Sequence, residues 1–71
     1  NLQKQYENAK TSAKDCLNIK RNYAPAYYEL GVSEKALGNK VAATDAFEKA
    51  KKDKNWRKSA QYELDMLNKG F

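Results

Sequence analysis

Residues 26–50 read AYYELGVSEKALGNKVAATDAFEKA, and this stretch decides the fold. Gly38-Asn39 divides it, and Gly is the residue most favoured just past a helix end. Before that break, Ala26, Leu30, Ser33 and Leu37 recur at steps of three and four, with Tyr27 adjoining. After it, Ala43, Ala46, Phe47 and Ala50 form a narrow stripe of small residues around one ring. Steps of three and four place side chains on one face of a helix, so the stretch predicts a helix, a tight turn and a second helix.

The same reading extends outward. Leu2, Tyr6, Ala9, Ala13 and Cys16, with Leu17 beside the last, predict a helix over 1–19. Trp56, Ala60, Leu64, Leu67 and then Phe71 predict another over 56–70. Turn signals fall at Asn22-Tyr23-Ala24-Pro25 and at the polar run Lys52-Asp53-Lys54-Asn55; Pro25 suits the first turn of the helix that follows it. No segment alternates with a period of two, so strands are not expected. The fold class predicted is all-α, with about four helices whose short connections make neighbours pack antiparallel.

With 71 residues, the chain is small for a self-sufficient core, and the usual staples are missing: one Cys leaves no internal disulfide, and no His leaves no ordinary zinc site. Charged residues make up 32% and mean hydropathy is −1.02, which excludes an apolar run able to cross a membrane. The whole net charge of +5 resides in residues 49–58, where Lys49, Lys51, Lys52, Lys54, Arg57 and Lys58 face Asp53 alone. Such a basic patch can attract phosphates, anionic lipid or acidic partners, although cations also favour helix C-termini and keep a surface solvated. Cys16 reads as a small packing residue. The N-terminus lacks the pattern of a signal peptide, and the absence of an initiating Met leads us to expect a piece of a longer chain. The compartment cannot be read.

Shifting the chain by 34 residues pairs Ala26 with Ala60, Tyr28 with Tyr62, Glu29 with Glu63, Leu30 with Leu64 and Lys35 with Lys69; Val32 meets Met66, Ala9 meets Ala43 and Cys16 meets Ala50. A 34-residue helix-turn-helix period belongs to the tetratricopeptide repeat (TPR), with its pattern W-x₂-L-G-x₂-Y, then A-x₃-F, then P. The chain resembles that family through Tyr27, Leu30-Gly31, Gly38, Ala43-x-x-x-Phe47 and Ala50. It departs from the pattern at Glu34, where Tyr is expected, and at Asn55, where Pro is expected. The resemblance implies a short α-solenoid over residues 1–71: the second helix of a preceding repeat over 1–23, a complete repeat over 24–57, and a terminal or capping helix over 58–71. Asp65 replaces Gly31 in that last helix, and a carboxylate there suits a helix with no closely packed mate, so capping is expected over continuation of the array.

Catalysis is not expected, since there is no His and no phosphate-binding loop, and Glu29, Glu34, Asp45, Glu48, Glu63 and Asp65 are scattered singly. Asp45 with Lys49, and Glu48 with Lys51 or Lys52, read as surface ion pairs. No cofactor or metal is implied. The resemblance implies a protein–protein interaction scaffold that holds a peptide or protein on a concave groove, and here the groove stripe reads Tyr28, Val32, Lys35, Tyr62, Met66 and Lys69. Members of the family that clamp a chaperone's C-terminal carboxylate have Asn where Val32 and Met66 stand, so that clamp is not expected. Two other readings remain: self-assembly through the first helix's apolar face (homodimer or helix swap), and nucleic-acid or acidic-ligand binding through 49–58, with Trp56 between cations.

Overall fold

A computed structural model describes residues 1–69, so the expectation placed on Phe71 lies outside the described residues. Four helices follow one another: α1 (Leu2–Ile19), α2 (Ala24–Ala36), α3 (Lys40–Ala50) and α4 (Arg57–Asn68), with no strand among the described residues. The fourth helix starts one residue later than the sequence predicts, because Trp56 serves as its N-cap and its carbonyl accepts from the Ala60 amide at 2.9 Å. The third ends at Ala50, and residues 51–56 form successive turns.

Each helix begins and ends for a local reason. Asn1 Oδ1 accepts from the backbone amides of Gln3 (2.9 Å) and Lys4 (3.4 Å), satisfying donors that the first turn of α1 leaves free. Between α1 and α2 the chain reverses at Asn22, whose φ of 60° lies in the left-handed region that Asn tolerates. Pro25 then occupies the first turn of α2. At the other end of α2, Gly38 has φ 85°; its amide donates to Lys35 O at 3.1 Å and the Asn39 amide to Glu34 O at 2.8 Å. That pair of bonds is a Schellman motif, closed by a residue that needs positive φ.

Packing runs between sequence neighbours: α1 on α2, α2 on α3, and α3 on α4. The start of α1 (Leu2, Tyr6) lines one cleft with the end of α2 (Ala36, Leu37), and Lys49 near the end of α3 lies 5.6 Å from the centre of the Tyr27 ring at the start of α2. Both neighbouring pairs are therefore antiparallel. The core comprises Ala43, Phe47, Ala50, Ala60, Leu64 and Leu67, with Tyr27, Tyr28 and Val32 packed against it from α2. Gly31 fixes the α2–α3 distance. A Cβ there would meet Phe47 Cε1 at 2.6 Å, and Phe47 is fully buried. The small residues let the backbones approach while one ring fills the gap.

The apolar stripe predicted for α1 is only partly covered. Ala13 is its one buried residue; Tyr6, Ala9, Cys16 and Leu17 are half-buried and Leu2 is 68% exposed, while Ile19, outside the stripe, is 84% exposed. No described helix is long and apolar enough to cross a membrane.

Candidate functional site

The stripe named from the sequence splits across two helices with different surroundings. Tyr28, Val32 and Lys35 lie on α2, at intervals of four and three; Tyr62, Met66 and Lys69 repeat them on α4 and just past its end. Tyr28 does not project freely. Its ring meets Phe47 edge-on at 5.6 Å and Trp56 in a tilted arrangement at 5.2 Å, and its hydroxyl donates to Glu63 Oε2 at 3.1 Å. Val32 packs on the same core. Tyr62 is 61% exposed, so the two tyrosines differ in role: one is a wall of the site, the other a free ring on its surface.

Lys35 is likewise held. Its ammonium donates to Glu63 Oε1 at 2.9 Å, so one carboxylate of α4 engages two side chains of α2. The link bears on Tyr28's acidity: burial raises its pKa above the usual 10, and the hydrogen bond to Glu63, the charge of Glu63 and that of Tyr62 push it further the same way. Glu63 reads in the sequence as a solitary carboxylate, yet in the fold it joins two helices. Its identity with Glu29 one period earlier was the available signal, but the Glu29 side chain is exposed, so identity alone could not separate them.

Glu34 is the second carboxylate that the sequence reading left standing alone. It is 5% exposed, accepts from Asn39 Nδ2 at 2.8 Å and pairs with Lys10 Nζ of α1 at 3.3 Å. Burial pushes its pKa up, but the hydrogen bonds from Asn39 and Lys10 and the charges of Lys10 and Lys14 outweigh it, leaving the carboxyl below its usual 4.5. The position where the repeat pattern has Tyr thus ties α1 to the end of α2 through an ion pair.

The basic segment is a turn-rich connection with one ion pair among the described residues, the exposed pair of Lys49 with Asp45 at 3.2 Å. Arg57 Nε reaches the Lys51 carbonyl at 3.5 Å, and Asp53 Oδ1 accepts from the Asn55 amide at 2.7 Å, shaping the turn. Lys51, Lys52, Lys54 and Lys58 have no acidic partner among the described residues, and neither does Glu48. Trp56 is half-buried, its ring packed against Tyr28 in a tilted arrangement, so it serves in part as a packing residue of the fold. Among the described residues no cluster of three His, Cys, Asp or Glu could hold a metal ion.

Chemically, the α2–α4 face offers an exposed aromatic ring at Tyr62, a thioether at Met66 and a buttressed Tyr28–Glu63–Lys35 link beneath them. Searches against protein-family models, curated proteins and solved structures gave no match to this chain.

Proposed function

We propose that this chain is a non-catalytic TPR-like module, stacked as a short α-solenoid, that binds a peptide or protein segment across the face of α2 and α4. The observation that carries the reading is the close approach of Gly31 to Phe47, 2.6 Å from a notional Cβ to the ring, within a helix-turn-helix of the repeat's length. It is supported by packing between sequence neighbours, which in repeat proteins leaves an extended face available to ligands. Tyr62 and Met66 supply contact area there, while Tyr28 and Val32 form its floor. Because Lys35 is paired with Glu63, the cation left on the stripe is Lys69, and we infer a ligand that is largely apolar with few acidic groups.

The test is to select peptides from a random displayed library against the 71-residue chain and measure the affinity of those enriched. Tyr62→Ala and Met66→Ala should each weaken binding about tenfold, the scale of a contact residue worth more than about 1 kcal/mol, whereas Val41→Ala on α3 should not. Enriched peptides that bind all three variants as tightly as the parent chain would place the ligand elsewhere.

A second reading, pairing of two copies through α1, draws on the exposure of Leu2 and Ile19. Sedimentation showing a strict monomer at high concentration would remove it.

A further inference from the structure

The two turns at one end of the molecule meet. Asn22 of the α1–α2 turn lines a shallow cleft with Lys49, Lys52 and Asp53 from the end of α3 and the turn after it. Lys20 and Arg21, which immediately precede Asn22, therefore stand near Lys49 and Lys52 of the basic segment 49–58, a juxtaposition that the intervening helices hide from the sequence. Within segments 20–23 and 49–58, Asp53 is the only acidic residue against eight cations, while the rest of the chain carries six basic and eight acidic residues. Lys49 of this group is already paired with Asp45 at 3.2 Å, so the excess positive charge of the turn end is borne by the other seven cations.

That end is also apolar at two points. Ile19 is 84% exposed and Tyr23 is 41% exposed, with the Lys20 ammonium 5.0 Å from the centre of the Tyr23 ring. Nothing in the fold uses the Ile19 side chain, and exposed apolar groups beside cations are the composition of a surface that sits at a lipid–water interface.

We propose that this end of the protein docks on an anionic lipid bilayer, with the lysines facing acidic headgroups and Ile19 and Tyr23 entering the interfacial layer. The cations alone would also suit a nucleic-acid backbone. The apolar pair would not help there, and the ring best placed to stack on bases, Trp56, is already packed on Tyr28. Each Lys or Arg near an acidic membrane strengthens partitioning about fivefold, and the attraction extends about 10 Å at 0.1 M salt. Polybasic charge and an apolar insertion are two weak signals whose combination makes reversible, salt-sensitive attachment. The surface is at the turn end and uses no residue of the α2–α4 face, so it stands or falls independently of the peptide-binding reading.

The experiment is co-sedimentation of the 71-residue chain with vesicles of mixed phosphatidylserine and phosphatidylcholine, against vesicles of phosphatidylcholine alone, over a salt series. Binding is expected only to the acidic vesicles and should weaken as salt rises. Lys52→Gln with Lys54→Gln should lower partitioning about 25-fold. Ile19→Ser with Tyr23→Ser should lower it about tenfold while leaving binding to a double-stranded oligonucleotide unchanged. All four positions lie outside the core, and circular dichroism should show unaltered helix content; if the apolar pair loses helix, Ile19→Ser alone replaces it. No binding to acidic vesicles, binding indifferent to the apolar substitutions, or a preference for the oligonucleotide over the vesicles would each overturn the proposal.

Discussion

Helices α2 and α4 share Ala, Tyr, Glu and Leu at positions 34 residues apart, with Lys69 just past α4 matching Lys35, yet these residues live in different surroundings. Tyr28 is wedged between Phe47 and Trp56, while Tyr62 faces solvent. Gly31 lies under a phenyl ring, while Asp65 is exposed and accepts from Gln61 Nε2 at 2.9 Å. Glu34 is buried in an ion pair, while Asn68 is exposed. The difference lies in neighbours: α2 has α1 on one side and α3 on the other, whereas α4 packs on α3. The residue supplies a capability, and the adjacent helix decides whether it is used. Each pair of positions one period apart is therefore a matched experiment, the same kind of site with and without a cover.

The widest gap is expected at Gly31 and Asp65. Leu in place of Gly31 must displace Phe47, which has nowhere to go, and overpacking of this kind costs about 3 kcal/mol or more. A single core in a chain this short supplies only about 3–5 kcal/mol, so Gly31→Leu should be largely unfolded at 25 °C. Asp65→Leu, on an open surface, should stay within about 0.5 kcal/mol of the parent. Val32→Leu is the control on α2 itself and should cost less than about 1.5 kcal/mol. Thermal melts followed by circular dichroism check all three. Equal melting temperatures for Gly31→Leu and Val32→Leu would break the claim that close approach sets the α2–α3 contact.

A smaller effect, and one with a pH signature, separates Glu34 from Asn68. The Glu34 carboxyl titrates below its unfolded value because Asn39 and Lys10 favour the charged form more than burial opposes it. Its stabilising contribution is therefore present above about pH 4.5, the unfolded value, and is lost as pH falls through the lower, folded value. Glu34→Gln should cost about 1–2 kcal/mol at neutral pH, the scale of a hydrogen bond to a charged group, and should flatten the acid limb of stability against pH. Asn68→Ala should change neither. Urea midpoints measured from pH 7 down to pH 3 give both quantities, and an acid limb unchanged in Glu34→Gln would sever α1 from this ion pair.

How far the sequence foretold this arrangement follows from the range of each interaction. The helices and turns were legible because Gly38, Pro25 and the three-and-four spacing act within a few residues. The stripe Ala43, Ala46, Phe47 and Ala50 was legible as a buried face for the same reason, and all four are buried. Glu63 was not legible as a partner of Tyr28 and Lys35, since those contacts join side chains 35 and 28 residues apart, and nothing local marks a carboxylate that will be shared. Glu34 was obscured by composition: a charged residue on a helix is ordinarily solvated, and Asn39 together with Lys10 of α1 makes its burial tolerable. The meeting of Lys20 and Arg21 with segment 49–58 depended on which end each turn occupies, which helix order determines and residue spacing does not.

The narrowest comparison is the hydroxyl of Tyr28 against that of Tyr62, and it isolates the link between α2 and α4. Removing the Tyr28 hydroxyl deletes one donor to Glu63 while leaving the ring on Phe47 and Trp56, so Tyr28→Phe should cost about 1 kcal/mol. Tyr62→Phe removes a hydroxyl from a largely exposed ring and should cost almost nothing. Alkaline titration supplies a readout that packing alone would not move. Burial, and then Glu63, hold the Tyr28 phenol protonated past its usual 10, so the stability tied to it is intact below that pH and is lost as pH rises through the higher folded value. Ultraviolet absorbance should therefore contain a late tyrosinate step that Tyr28→Phe abolishes and Tyr62→Phe preserves. In Glu63→Gln the late step should move down without vanishing, because burial remains as the larger cause. A late step that ignores Glu63→Gln would mean that the Tyr28 hydroxyl does not engage Glu63, leaving the Lys35 ion pair and the packed rings to join the two helices.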